Sequence, residues 1–219
     1  NYLDKSYEGK KVLITGHTGF KGSWLSLWLK NVGADVLGIS DEVPTEPSNF
    51  EASNLSNLIT DKRFKLPNTK EVKKVINKFE PDFIFHLAAQ ALVKDSFKSP
   101  LITMTSNALG SASILEALID YKKSVSVVMI TSDKVYNNLE WQWGYKETDE
   151  LGGKDPYSAS KGMAELAIKS MVNSFFSMKD SGVRIGIARA GNVIGGGDWA
   201  KDRIVPDTIR SASKEKSVG

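Results

Sequence analysis

The stretch from Lys11 to Ile39 constrains this chain most. Lys11-Val12-Leu13-Ile14-Thr15 reads as a buried strand and runs straight into Gly16-His17-Thr18-Gly19-Phe20-Lys21-Gly22. An apolar-periodic segment through Trp24, Leu25, Leu27, Trp28 and Leu29 then predicts a helix ending near Gly33, and Asp35-Val36-Leu37-Gly38-Ile39 predicts a second strand. Strand, glycine turn, helix and strand in that order open a doubly wound, Rossmann-like parallel α/β sheet. Further buried strands follow at Asp82–Leu87, Val125–Thr131 and Val183–Arg189, with a short one expected at Phe64-Lys65-Leu66. Helices are expected at Thr69–Phe79, about Ile102–Tyr121, Tyr157 to about Met178, and from Ile204 to Ala212. The polar segment from Ser40 to Asp61, with Pro44 and Pro47, reads as a long loop. At 219 residues, one domain over 1–219 is the natural division.

Glycines are needed where the chain turns sharply and where a pyrophosphate must approach bare backbone, and the helix that follows offers N–H donors and a favourable dipole. Gly16, His17, Thr18, Gly19, Phe20, Lys21 and Gly22 are therefore the candidate dinucleotide loop. The spacing is Gly-x-x-Gly-x-x-Gly, not the tighter Gly-x-Gly-x-x-Gly. Asp41 and Glu42 fall about twenty residues past Gly22, where a carboxylate can accept hydrogen bonds from the adenosine ribose. No Lys or Arg occurs between Lys30 and Lys62 to meet a 2′-phosphate, which favours NAD over NADP. At the ends of later strands, Leu87, Ala88, Ala89, Gln90 and Thr131 are candidates for the cofactor wall, the alanines letting backbone lie close. His86 reads as a core histidine.

Asp155-Pro156-Tyr157-Ser158-Ala159-Ser160-Lys161 begins a helix with Tyr157 and Lys161 one turn apart, on the same face. A phenol is a poor base near neutrality, with an ordinary pKa of about 10, and an adjacent ammonium lowers it. Such a pair can take a proton from a sugar hydroxyl while hydride leaves the carbon. Ser132, Asp133 and Lys134 leave the Val125–Thr131 strand at its C-terminal end, where ligands bind in such sheets. Trp141 and Trp143 read as packing anchors in the loop from Asn138 to Gly153. The chain has no cysteine, which excludes disulfides, thiolate metal sites and thiol catalysis, and no metal site is expected. The net charge of +3 is spread along the chain, so nucleic-acid binding is not expected. No run reaches the roughly 18 apolar residues of a membrane span, and a cytoplasmic setting fits.

The glycine turn, His86-Leu87-Ala88-Ala89, the Ser132 strand end and the Tyr157/Lys161 pair together resemble the extended short-chain dehydrogenase/reductases. Longer runs, Thr15–Trp24, Thr131–Tyr136, Glu140-Trp141, Trp143–Tyr145, Gly152–Ser158 and Arg189–Trp199, are similar to the NAD-dependent epimerase/dehydratase branch that acts on nucleotide-linked hexoses, CDP-glucose being favoured. The resemblance implies a lyase performing an internal redox dehydration. Tyr157 would deprotonate the sugar 4-hydroxyl, Lys161 would hold the cofactor ribose, and Ser132 would hydrogen-bond near O4. Asp133 would be the acid for the departing 6-hydroxyl and Lys134 the base at C5. Ser132, Asn192 and Arg203 would contact substrate, and a homodimer or higher homo-oligomer is expected.

Relatives acting on dTDP-glucose or GDP-mannose carry a glutamate where this chain has Lys134, and a lysine serves as base only if burial or a nearby cation keeps it neutral. The family's Gly-Asp-Ile/Leu turn is replaced by Phe64-Lys65-Leu66-Pro67-Asn68. His17 is bulky for the phosphate loop and is expected to weaken cofactor binding. The substrate-binding part is expected to begin near residue 190 and to lie mostly beyond this sequence. Two rivals remain: a 4-epimerase or reductase, which would not need Asp133 and Lys134, and a catalytically idle dinucleotide-binding protein, which would have lost Tyr157 or Lys161.

Overall fold

A computed structural model describes residues 2–177 and 181–214. In chain order the elements are α1 (Tyr2–Tyr7), β1 (Lys11–Thr15), α2 (Phe20–Asn31), β2 (Asp35–Ser40), α3 (Asn49–Ala52), β3 (Thr60–Arg63), α4 (Thr69–Phe79), β4 (Phe83–His86), α5 (Val93–Lys98), α6 (Pro100–Met104), α7 (Gly110–Glu116), β5 (Val125–Ile130), α8 (Pro156–Met171), β6 (Val183–Ala188) and α9 (Ile204–Ala212). The sheet order is β3-β2-β1-β4-β5-β6 and every pairing is parallel. This is the doubly wound order, in which the order of strand addition reverses between β1 and β4 while all strands stay parallel.

Alternation along the strands builds a core on each face. Val12 and Ile14 of β1 and Val36 of β2 point one way and pack with Leu29 of α2. Leu13, Leu37 and Ile39 point the other way, into a larger cluster with Val72 and Ile76 of α4, Ile114 and Leu115 of α7 and Ile168 of α8. α4 begins where the Asn68 side chain accepts from the Glu71 N–H, and α8 where Asp155 accepts from Ser158 N–H at 3.0 Å, with Pro156 in the first turn. α6 and α7 are one helix joined by a π-turn at Thr105–Leu109. α8 passes into a π-turn at Val172–Phe176, and the expected end near Met178 lies outside the described residues.

Two expectations fail in the same region. The third strand is Thr60–Arg63, not Phe64–Leu66. It is an edge strand held by backbone pairing to β2, so its polar side chains carry no strand pattern, while Phe64 and Leu66 leave it and pack on the core as loop residues. The stretch from Ser40 to Asp61 is not one loop. It contains α3 and a 3₁₀ turn at Leu55–Asn57. α3 opens with an N-cap, Ser48 Oγ accepting from Glu51 N–H at 3.1 Å and donating to the Glu51 carboxylate at 3.0 Å. No helix among the described residues is long and apolar enough to cross a membrane.

Candidate active site

The glycine loop, the ends of β2 and β4, and the start of α9 enclose a cleft of about 460 Å³. Gly16, Thr18, Gly19, Phe20, Lys21 and Gly22 form one wall, Asp41 and Glu42 one end, and Leu87, Ala88, Ala89 and Gln90 the opposite wall. The first and last loop glycines are fixed by sterics. Gly16 has φ +77°, and a Cβ there would lie 2.8 Å from the Ala88 nitrogen; at Gly22 it would lie 2.0 Å from the Gly16 carbonyl oxygen. Bare backbone at the start of α2, with small residues facing it, fits a dinucleotide pyrophosphate. Thr18 ties the loop to β2, its hydroxyl 2.8 Å from Ser40 Oγ and 2.6 Å from the Glu42 carbonyl.

His17 does not stand in this cleft. Its side chain is fully buried, with Nε2 3.0 Å from Asp61 Oδ1 and the ring edge-on to Phe50 at 5.5 Å. It occupies the space above Gly38, where a Cβ would meet ring Cγ at 2.2 Å. Burial lowers its pKa, opposed by the Asp61 carboxylate. The expected obstruction is absent because the ring turns under the loop, and only the His17 backbone remains a cofactor candidate. The cation-free loop also has a neighbour that sequence spacing hid: Lys65 reaches to 3.8 Å from the Asp41 carboxylate. Arg63 is held by Asp61 at 2.7 and 2.8 Å.

The candidate reacting side chains sit after the end of β5 and at the start of α8. Ser132, almost buried, caps the 3₁₀ turn Asp133–Val135; its Oγ accepts from Lys134 N–H at 3.2 Å and donates to Asp133 Oδ1 at 3.0 Å. The Ser132 side chain also acts on the Tyr157 phenol, favouring its ionised form. Burial raises the Tyr157 pKa, with Asp133 and Asp155 adding to the rise and Ser132 and Arg203 opposing it. The expected lowering by Lys161 is thus not found: desolvation of the phenol outweighs any lowering. Lys161 is itself pulled down to about 8 by burial and by Lys21. Lys21 belongs to a charged group with Arg203, Asp133 and Asp198; desolvation and Arg203 lower its pKa against the two carboxylates. Asp198 in turn holds Arg203 at 2.8 Å.

Lys134 Nζ lies 3.8 Å from Asp133 Oδ1, and the two side chains are 39% and 53% exposed. The burial that the base role was expected to require is not present in that arrangement. Arg203 lines the cleft, whereas Asn192 lies in an exposed loop and does not line it. Thr131 is turned away from the cofactor wall, donating to the buried Glu165 at 2.8 Å. His86 is the core histidine its strand position suggests, between Thr15 Oγ1 at 2.7 Å and Ser111 Oγ at 3.0 Å, its pKa pushed down to about 3 by burial, with Lys161 adding.

Several site-shaping residues escaped the sequence reading. Asn107, in the π-turn, accepts from Gln90 N–H at 2.8 Å and donates to the Gln90 carbonyl at 3.0 Å and to Ser160 Oγ at 2.8 Å, joining the β4 exit to α8. Glu165 and Arg189 form a forked pair at 2.7 and 2.6 Å. Among the described residues no cluster of His, Asp or Glu could hold a metal ion.

A family model described as GDP-mannose 4,6 dehydratase matches residues 13–180. The chain belongs to this dehydratase family. Its membership places it among the extended short-chain dehydrogenase/reductases. It is 46% identical over 99% of its length to a curated CDP-glucose 4,6-dehydratase of Salmonella typhimurium, of which it spans 61%. A CDP-paratose 2-epimerase of Salmonella typhi is 31% identical over 71% of this chain and 51% of that protein. The fold matches a UDP-glucuronic acid 4-epimerase from Bacillus cereus, solved with UDP-glucuronic acid and NAD (TM-score 0.79, 25% identity, 95% of this chain and 64% of that one). It also matches a dTDP-glucose 4,6-dehydratase from Streptomyces venezuelae (TM-score 0.80, 20% identity, 95% and 63%).

Proposed function

We propose that this chain carries the cofactor site and reacting side chains of an NAD-dependent hydro-lyase that converts CDP-glucose to CDP-4-keto-6-deoxyglucose and water. The observation that carries the reading is the cluster after β5, where Ser132 donates to the Asp133 carboxylate at 3.0 Å and Lys134 lies 3.8 Å from Asp133, with Ser132 and Asp133 both acting on the Tyr157 phenol. The 46% identity to a CDP-glucose 4,6-dehydratase favours that sugar nucleotide. The loop from Gly16 to Gly22 and the Leu87–Gln90 wall would hold the dinucleotide, with Asp41 at the ribose. When bound, NAD supplies a hydride acceptor that is regenerated within the turnover, so no outside oxidant is consumed.

Tyr157 takes the 4-hydroxyl proton, steered by Ser132. A phenol held above its ordinary pKa is a strong base once ionised, and the Ser132 side chain and Arg203 are the groups that favour its ionisation. The 4-ketone acidifies the C5–H bond; Lys134 accepts that proton while Asp133 donates one to the departing 6-hydroxyl, which leaves as water. The elimination needs Lys134 without its proton and Asp133 with one, so a single proton passed from Lys134 to Asp133 before the step keeps it balanced. A cytoplasmic setting and a homodimer belong to the same proposal.

Mass analysis of products from CDP-glucose, dTDP-glucose and GDP-mannose, with full-length enzyme, tests the reading. Loss of one water from CDP-glucose with no net reduced nicotinamide is expected. A C4 epimer, or no loss of water from any of the three, would overturn it.

A further inference from the structure

The acid–base segment is a single 3₁₀ turn of three residues, Asp133–Val135, and so short a turn has little rigidity of its own. Its two functional side chains are both more than a third exposed. The next residue, Tyr136, is held on both sides. The Arg189 guanidinium lies over its ring at 4.5 Å, and the Tyr145 ring stacks at 4.7 Å. Trp141 continues the stack at 5.1 Å from Tyr145. Tyr136 also bridges to Leu151, and the Gly152 N–H donates to the Val135 carbonyl at 2.8 Å.

Arg189 is no loose surface cation. It grips both oxygens of Glu165, whose side chain is fully buried and also accepts from Thr131, the residue before Ser132. Glu165 is one turn beyond Lys161 on α8. One ion pair therefore joins the end of β5, the end of β6 and the helix that carries Tyr157 and Lys161. A buried pair of this kind contributes less to net stability than to a single geometry, because removing either partner leaves a charge uncompensated.

We propose that Tyr136, clamped between Arg189 and Tyr145, is a positioning residue that sets Asp133 and Lys134 against Tyr157. The inference rests on the dehydratase reading for its kinetic consequence. Arg189 and Tyr145 hold the ring by its faces, so Tyr136→Phe keeps the clamp and Tyr136→Leu removes it.

The test uses full-length enzyme loaded with NAD. In Tyr136→Leu, single-turnover oxidation at C4, followed by absorbance of reduced nicotinamide, stays near the wild-type rate. Exchange of the C5 hydrogen with deuterated solvent, and loss of water, fall by about 10²-fold, the scale expected when a reacting group is displaced by about 1 Å. Tyr136→Phe restores both. Hydrogen exchange supplies a readout independent of activity: amides of Asp133–Val135 and Gly152 lose protection in Tyr136→Leu, while those of α8 do not. Wild-type exchange protection in that turn, or equal loss of both half-reactions with a general loss of protection, overturns the inference. Wild-type enzyme that oxidises C4 but loses no water would sink the dehydratase reading instead, and the exchange pattern would still decide whether the clamp positions the turn.

Discussion

Replacing Lys161 with methionine should make the protein more stable while ending its chemistry. Lys161 is 7% exposed, and burial with the nearby Lys21 brings its pKa from 10.5 to about 8. A difference of about 2.5 units at about 1.36 kcal/mol per unit means that folding with this group charged costs about 3 kcal/mol. The sign follows from proton counting. Between pH 8 and 10.5 the unfolded chain binds the proton and the folded chain does not, so the penalty is complete below pH 8 and disappears as pH rises to 10.5. Methionine has similar length and no charge. For a chain of this size about 3 kcal/mol corresponds to a rise in Tm of about 6–12 °C. Denaturant unfolding of wild type and Lys161→Met at a series of pH values is the assay. The two stabilities should differ most at pH 7 and converge by about pH 10.5. Equal stability at pH 7, or a gap that does not narrow with pH, would refute the reasoning.

Two further outcomes concern the reacting groups. Lys134→Ala in the full-length enzyme should accumulate bound reduced nicotinamide and the 4-keto sugar without exchanging the C5 hydrogen; normal exchange at saturating substrate would remove Lys134 as the base. Tyr157→Phe should lower turnover by about 10²–10⁴-fold, the usual contribution of a general acid–base group, with cofactor affinity by calorimetry nearly unchanged; near-normal turnover would exclude Tyr157 from the mechanism.

The strands with apolar runs, β1, β2, β4, β5 and β6, were legible because burial on both faces writes itself into side-chain type. β3 was not, since Thr60-Asp61-Lys62-Arg63 pairs through backbone alone at an edge. α3 was missed although Ser48 is a favoured N-cap residue, because a four-residue helix shows no period. At the candidate site, the places of Ser132 and Asp133 after β5 and of Tyr157 at the start of α8 could be read from the predicted strands and turns. Which group perturbs which could not. Spacing puts Lys161 one turn from Tyr157, but burial dominates both pKa shifts, and burial depends on what α5, α6 and the β5 exit place around them. Arg189 and Glu165 were invisible for a different reason: they lie on separate elements and meet only when β6 packs beside α8.

The ring of His17 and the bare α-carbon of Gly38 divide a single volume between two strands. A methyl group at residue 38 would arrive 2.2 Å from the ring, so Gly38→Ala is incompatible with His17 as it stands. A small residue at 17 would free that room and at the same time strip Asp61 of its partner, leaving a carboxylate answered by Arg63 alone. The two positions are therefore not separately variable. Any lineage that changes the second residue of the phosphate loop must renegotiate the interior of β2 and the charge on β3 in the same step, so a mark that looks like a nucleotide-loop signature is also a record of how the edge of this sheet was packed.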